Sequence, residues 1–220
     1  MVVMQKTVRW HAVARYGKDH KESTRRRIVE ASGRRLKSDG VHASGISTLM
    51  ADAGLTNGAF YAHFTSKDDL VASVVAEQLG DQVATMAALP DGVDGIEQFV
   101  RAYLSVEHRD HPGDGCPSAA LLDEIGRCDD AVRRAYTDGL LAVMDVIGAR
   151  LEPAEPSAAR VRVLAAFAGM VGSLQMARAV TDPRLSDQLL AQGVRNAETA
   201  LGLEPGDATS HARPSRRTSP

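Results

Sequence analysis

Between Lys21 and Ser38 the residues Ile28, Ala31, Ser32 and Leu36 recur at helical spacing, while Arg25, Arg26 and Arg27 fall largely on the opposite side. This pattern predicts an amphipathic first helix, closed by Gly40. From Ser47 to Ala53, Leu49, Met50 and Ala53 share one face. Gly54 then stands where a helix end commonly needs a left-handed residue. Leu55 fills the corner, and Thr56 offers an N-cap oxygen to a short second helix anchored by Phe60 and Phe64. Ser66, with Asp69 three residues on, approximates a capping box and opens a long helix to about Leu89. Pro90-Asp91-Gly92 breaks it. Helices are then expected at about 93–108, 117–127, 129–152, 157–180 and 184–202, with joints at HPGDGCP, Cys128-Asp129, PAEP and DP.

The predicted fold class is all-α, about nine helices. An N-terminal three-helix helix-turn-helix DNA-binding domain (18–65) precedes a C-terminal helical domain (66–202). Residues 1–17 are expected to form a flexible N-terminal extension and 203–220 a disordered tail. The low aromatic share, 4%, suits such a chain.

Charge sharpens this picture. Residues 1–79 hold 12 Lys/Arg against 8 Asp/Glu, a net +4, while 80–210 hold 11 against 20, a net −9. Basic charge gathered beside a helix-turn-helix is what phosphate binding requires. In that motif the second helix enters the major groove. Thr56, Asn57, Gly58 and Ala59 make a slim helix start that can approach base edges. Tyr61, His63 and Lys67 carry polar tips suited to phosphate. Lys21 and Arg25, with Arg15, Lys18, His20 and Arg26, form a basic run at the start of the first helix. Ser44 and Ser47, around the next helix start, complete the candidate DNA contacts.

Other chemistry is weakly signalled. Two cysteines, Cys116 and Cys128, make no disulfide framework, and neither a secretory signal nor a run of about 18 apolar residues is visible, so a soluble cytoplasmic protein without membrane partners is expected. His108 and His111, near Asp110, Asp114 and Cys116, sit in a Gly/Pro loop that reads as solvated rather than as a metal site. No cofactor is expected. Carboxylates such as Glu97, Glu107, Asp123 and Glu124 show no acid–base pairing, and the chain reads as no enzyme. Cys116 precedes Pro117 at a helix start, a position that can activate a thiol. Packing of the turn is the preferred reading, and a redox- or electrophile-responsive thiol the alternative.

GLTNGAFYAHFTSKDDL (54–70), preceded by STRRRIVEASGRRLKSDGVHASGIS (23–47), resembles the TetR family of transcriptional regulators, whose pattern reads AGxxxGxxYxHFxSKxxL. One branch of that family reads GLTHGGFY, so Asn57 and Ala59 here replace a His and a Gly. Arg35 falls where many members keep Leu. The resemblance implies a ligand-responsive repressor, a palindromic double-stranded operator, a homodimer built through about 157–202, and a small-molecule inducer. The role of 66–202 as a C-terminal helical ligand-binding and dimerisation domain is likewise implied by the resemblance rather than by the helix pattern. Within the 157–180 helix, Val161, Leu164, Ala165, Ala168, Val171 and Gly172 give a wide apolar arc, and Leu189, Leu190, Val194, Ala197 and Leu201 mark the next. Two such helices suit a four-helix dimer interface. Candidate pocket walls are Phe99, Tyr103, Leu121, Leu122, Met144, Phe167, Met170 and Gln175, implying an apolar or aromatic ligand. The rival from another class is a helical protein-interaction module without specific DNA binding.

Overall fold

A computed structural model describes the backbone of residues 4–203 and the side chains of 19–155 and 157–203. It contains α1 (Met4–Asp39), α2 (Ile46–Asp52), a 3-10 segment (Asn57–Ala62) and α3 (Lys67–Ala88), then α4 (Val93–Tyr103), α5 (Val106–Asp110), a 3-10 turn (Pro112–Asp114), α6 (Pro117–Ile125), α7 (Asp130–Leu151), α8 (Pro156–Ala179) and α9 (Pro183–Leu201). No strand occurs among the described residues.

Five expectations change. The stretch before Tyr16, expected to be irregular, is helical from Met4. No proline precedes Pro90, and one glycine, Gly17, costs a helix only about 1 kcal/mol. The single helix at 93–108 is two: the backbone leaves α4 at Leu104, and the Ser105 hydroxyl accepts from His108 N at 3.1 Å to start α5. The HPGDGCP joint contains its own 3-10 turn. Thr56 takes the N-cap backbone geometry but makes no side-chain cap bond. The expected disordered tail, 203–220, starts one residue too early, since Leu203 is buried in the body core with its N–H donating to Glu198 O at 2.9 Å, while 204–220 lie outside the described residues.

Other signals act as their chemistry suggests. Gly54 adopts φ +67° and Gly40 φ +91°, conformations costly for any residue with a Cβ. Ser66 caps α3 by accepting from Asp69 N at 3.0 Å. Asp69 reaches back one residue further than in a standard capping box, accepting from Thr65 N at 2.8 Å and from its hydroxyl at 3.0 Å. Asp129 caps α7 through Ala131 N and Val132 N, both at 3.0 Å. Arg35 turns out to α2 and grips Asp52 with both carboxylate oxygens, at 2.7 and 3.0 Å.

Two apolar cores form. The head core gathers Ile28, Leu36, Leu49, Met50, Phe60, Phe64, Leu70 and Val74. Leu121 and Ile125 of α6 and Val132 of α7 join it, so the head is not closed without the body. The body core is built around Ile96, Phe99, Met144, Phe167, Met170 and Leu174. Helix α3 serves both, placing Leu79 in the first and Met86 in the second. By length and mean hydropathy (1.2) α8 could cross a membrane, although no unbroken apolar run marks it. In the fold it packs between α7 and α9 and carries Arg160, Arg162 and Arg178.

Polar ties position the small elements. The Arg178 guanidinium donates to the carbonyls of Arg109 and Ala119, both at 3.0 Å, and to that of His108. It thereby holds the end of α5 and the start of α6 against α8. Arg109 in turn binds Ser186 Oγ at 2.9 Å and Asp187 at 2.8 Å, joining α5 to α9. Arg150 donates to Met86 O at 2.7 Å and covers the last carbonyls of α3, where a cation is favoured. Replacing Arg178 by Ala removes three charged hydrogen bonds and strands the His108 and Arg109 carbonyls at the open end of α5, and should cost about 3 kcal/mol in urea unfolding. Arg178→Lys, with fewer donors and no fork, should recover only part of that loss.

Candidate functional site

The first site is the surface turned out by the helix-turn-helix. Phe60 and Phe64 are buried with ring centroids 5.7 Å apart, and they clamp the Asn57–Ala62 segment to the head. Only six residues lie between Thr56 and His63, and both ends are pinned. The segment is therefore wound as a 3-10 helix rather than the α-helix expected. With three residues per turn, Gly58 and Tyr61 stack along one edge, as do Ala59 and Ala62. Thr56, Asn57, Gly58, Tyr61 and Ala62 are exposed, Ala59 is half-buried, and Tyr61 projects with 72% of its surface free. Ala62 was not among the residues expected on this edge: a lone alanine carries no chemical signal in the sequence, and its exposure comes from the fold.

The remaining candidates divide. Ser47 and Lys21 are exposed beside this edge. Ser44 is not available: it is buried and donates to Gly40 O at 2.8 Å, locking the turn after α1. Arg25 is not a free arm. Its guanidinium donates to Ser73 Oγ at 2.7 Å and lies over the Phe64 ring, 4.9 Å from its centroid. The Lys67 ammonium donates to Val41 O, tying the start of α3 to the end of α1 and leaving two of its protons unassigned. His63 is half-buried with Nδ1 unpartnered among the described residues. Burial, with the positive charges of Lys21 and Arg25, holds its imidazole below the ordinary range.

The second site is a cleft of about 430 Å³ where the head meets the body. Its walls come from α1, α3, α4 and the turn before α6. Of the residues expected to line a pocket, only Phe99 and Tyr103 do so here. Phe99, Phe167 and Met170 surround a second void of only about 10 Å³, too small to take a ligand. Met144 is plain core, Leu121 belongs to the head core, and Leu122 and Gln175 are exposed. Apolar character marks core as readily as pocket, which is why those residues misled. The cleft is instead marked by polar side chains that the chain brings together from distant segments, among them Lys37, Gln78, Asp81 and His108.

Cys116 closes the floor of this cleft. It is the N-cap of α6, 8% exposed, with Sγ 3.3 Å from Gln82 Oε1. The turn around it is fixed from three sides. Lys37 Nζ of α1 donates to Gly115 O at 2.7 Å. His108 Nε2 accepts from Cys116 N at 3.0 Å while its Nδ1 meets Tyr103 O at 2.8 Å. Pro117 starts α6. Both ring nitrogens of His108 are thus occupied, which leaves it no lone pair for the metal reading of this loop. The carbonyl requires a proton on Nδ1 and the amide forbids one on Nε2, so this ring is neutral.

That assignment has a pH consequence. Burial, with help from Arg178 and Lys37, lowers the His108 imidazole below its ordinary range. The unfolded chain then binds a proton more readily than the folded one, so the contribution is complete above about pH 6.5 and is lost as pH falls below it. Melting temperature measured from pH 7.5 down to pH 5.5 should fall more steeply for the native chain than for His108→Gln.

With the geometry in view, comparison with known proteins is informative. Residues 28–74 match the family model of bacterial regulatory proteins of the tetR family. The chain is 31% identical over 96 residues to the HTH-type transcriptional regulator TtgR of Pseudomonas putida, covering 43% of this chain and 46% of that one. It is 25% identical over 82 residues to the HTH-type nicotine-responsive transcriptional repressor HdnoR of Paenarthrobacter nicotinovorans, covering 37% and 42%. The matches thus span less than half the length of these curated relatives. The whole fold resembles that of reduced NemR from E. coli, with TM-score 0.68 at 18% identity over 80% of this chain and 96% of that one. Over residues 28–74 the helix-turn-helix head is that of the tetR family of bacterial regulatory proteins, and the body has the same fold as solved TetR-family regulators.

Proposed function

We propose that the protein is a homodimeric repressor that reads a palindromic operator and is released from it by a small ligand with an aromatic part. The observation that carries the DNA reading is the exposed 3-10 edge from Thr56 to Ala62, clamped from behind by Phe60 and Phe64. Thr56, Asn57 and Ala59 face base edges, while Tyr61, Lys67, Ser47 and Lys21 reach phosphates that set the register. The unpartnered Nδ1 of His63 is itself buried, so this ring steadies the edge from behind and is not offered to phosphate. The positive head and negative body orient the molecule on the duplex.

The dimer reading rests on α8 and α9. Val161 is 77% exposed, Met176 57% and Leu185 42%, and Ala165, Ala168 and Gly172 lie along the same side of α8. A long apolar stripe with small residues allows a second copy to approach closely, and burying it would explain why an apolar helix stands half in water. A two-fold dimer then presents two reading edges to two half-sites.

Release follows from the position of the cleft. It lies between α1, which carries the head, and the turn held by α5, α6 and α8. A ligand that binds better to one head–body arrangement shifts the molecule toward it, and DNA then weakens ligand binding by the same factor. HdnoR is a nicotine-responsive repressor by name, which supports a ligand-responsive role for this chain. The thiol alternative is not favoured: Cys116 is buried and engaged with Gln82, as a packing residue would be.

Selection of bound duplexes from a random pool tests the reading directly. One palindromic site should emerge. Asn57→Ala should then cost about 1–3 kcal/mol at one base-pair position, whereas Tyr61→Phe should weaken all duplexes alike. Loss spread evenly over every sequence in Asn57→Ala would exclude base reading by that residue. For the interface, Val161→Asp combined with Met176→Asp should give a folded monomer in sedimentation that binds a half-site no better than a full operator. A dimer surviving this pair of changes would place the interface elsewhere.

A further inference from the structure

Four carboxylates and two cations line the head–body cleft. Arg34 is answered by Glu30 at 3.2 Å, Lys37 by the Gly115 carbonyl, and Asp114 faces solvent. Glu77 and Asp81 are left. They stand one turn apart on α3, and among the described residues neither makes an ion pair. Like charges at that spacing repel. Burial, with Asp81 beside it, raises the Glu77 carboxyl above its usual range. The site thus holds two carboxylates that no direct ion pair meets, with Lys37 acting on Asp81 and Arg25 and Arg26 on Glu77 only at longer range.

A second observation is independent of charge. Tyr103 lines the cleft, is 4% exposed, and among the described residues its hydroxyl has no oxygen or nitrogen partner, the Cys116 thiol being its one polar neighbour. Gln78, between the two carboxylates in sequence, likewise has a buried amide oxygen without a partner. Its amide nitrogen end lies over Gly33 of α1, where only the absence of a Cβ leaves room for it. Polar atoms left unpaired in a buried place cost stability unless something satisfies them. Below them, the Phe99 and Tyr103 rings, 5.7 Å apart, give an apolar floor.

We propose that the cleft takes a compact aromatic molecule carrying a protonated amine, its ring against Phe99 and Tyr103 and its ammonium facing Glu77, Gln78 and Asp81. The amine supplies the direct ion pair that these carboxylates lack and donates to the Gln78 oxygen, and a polar atom on the ring reaches the Tyr103 hydroxyl. Neutral ligands of the same shape would leave the carboxylates unanswered. This reading deepens the ligand-release function proposed above and rests on it for its biological meaning, but not for its test.

Three matched probes decide it: 1-naphthylmethylamine, 1-naphthalenemethanol and 1-naphthoate, titrated calorimetrically into the full chain without DNA at neutral pH. The amine should bind at least tenfold more tightly than the alcohol, with the carboxylate weakest. Glu77→Gln combined with Asp81→Asn should abolish the preference for the amine while leaving the melting temperature near or above the native value, because a repulsive pair has been removed. Equal or tighter binding of the alcohol or carboxylate, or no binding of the amine, overturns the proposal. So does an amine preference that survives the double substitution. Operator binding is measured separately on the same samples. Absence of specific DNA binding counts against the repressor reading alone, while intact DNA binding without amine preference counts against the cleft assignment alone.

Discussion

Lys37 is the constraint on which the joining of head and body depends. Its side chain is buried, 8% exposed, and burial lowers its basicity. A buried ammonium is tolerated only where donors meet acceptors, and here the acceptor is Gly115 O at 2.7 Å, with Asp114 and Asp81 contributing favourable charge. The turn must keep that carbonyl directed at α1. Its composition follows: a side chain at Gly113 would press on Ser38 Oγ of α1, and one at Gly115 would strike the His108 ring. Glycine is required there for close approach. Cys116 and Pro117 then begin α6 with no unsatisfied N–H at the first position.

From that turn the contacts spread in both directions. Toward DNA, α6 inserts Leu121 and Ile125 into the head core, and the Glu124 carboxylate accepts from His42 N at 2.9 Å. Toward the α8–α9 face, His108 holds Cys116 N, and Arg178 holds the carbonyls of His108, Arg109 and Ala119. The cleft opens onto the middle of this chain of contacts, bounded by α1, α3 and the turn. Under the proposed function, a molecule lodged there would touch all three at once, and the directional bonds between these helices are what would carry a change in the turn to the head.

The reading edge obeys a different logic. Its backbone is a short 3-10 segment, held by Phe60 and Phe64 and flanked by the loop that Lys67 and Ser44 fasten. Rigid aromatic anchoring behind and small residues in front let the backbone approach a groove while keeping its register. Several basic or polar groups nearby serve the scaffold first. Arg25 and Ser44 are occupied by Ser73, Phe64 and Gly40, and Arg35 by Asp52, whose carboxyl it holds below the usual range.

The sequence by itself determined the helices, most of their joints and the recognition motif, because each depends on neighbours within a few residues. Periodic apolar positions, Gly54 at its turn, and the Ser66 and Asp129 caps are local physics, and residues 54–70 carry the family resemblance through such local constraints. It also separated a basic head from an acidic body. Where the signal was local but degenerate, it erred: the HPGDGCP loop hid a helix break at Leu104, and apolar periodicity could not tell the core residue Met144 from a pocket wall. Only the tertiary structure decided the cleft. Gln78 and Asp81 of α3, Lys37 of α1, Tyr103 of α4 and Cys116 before α6 are far apart in the chain and individually ordinary. Their meaning lies in which charges are answered and which polar atoms are left without partners, and that is fixed only when α3 packs between head and body.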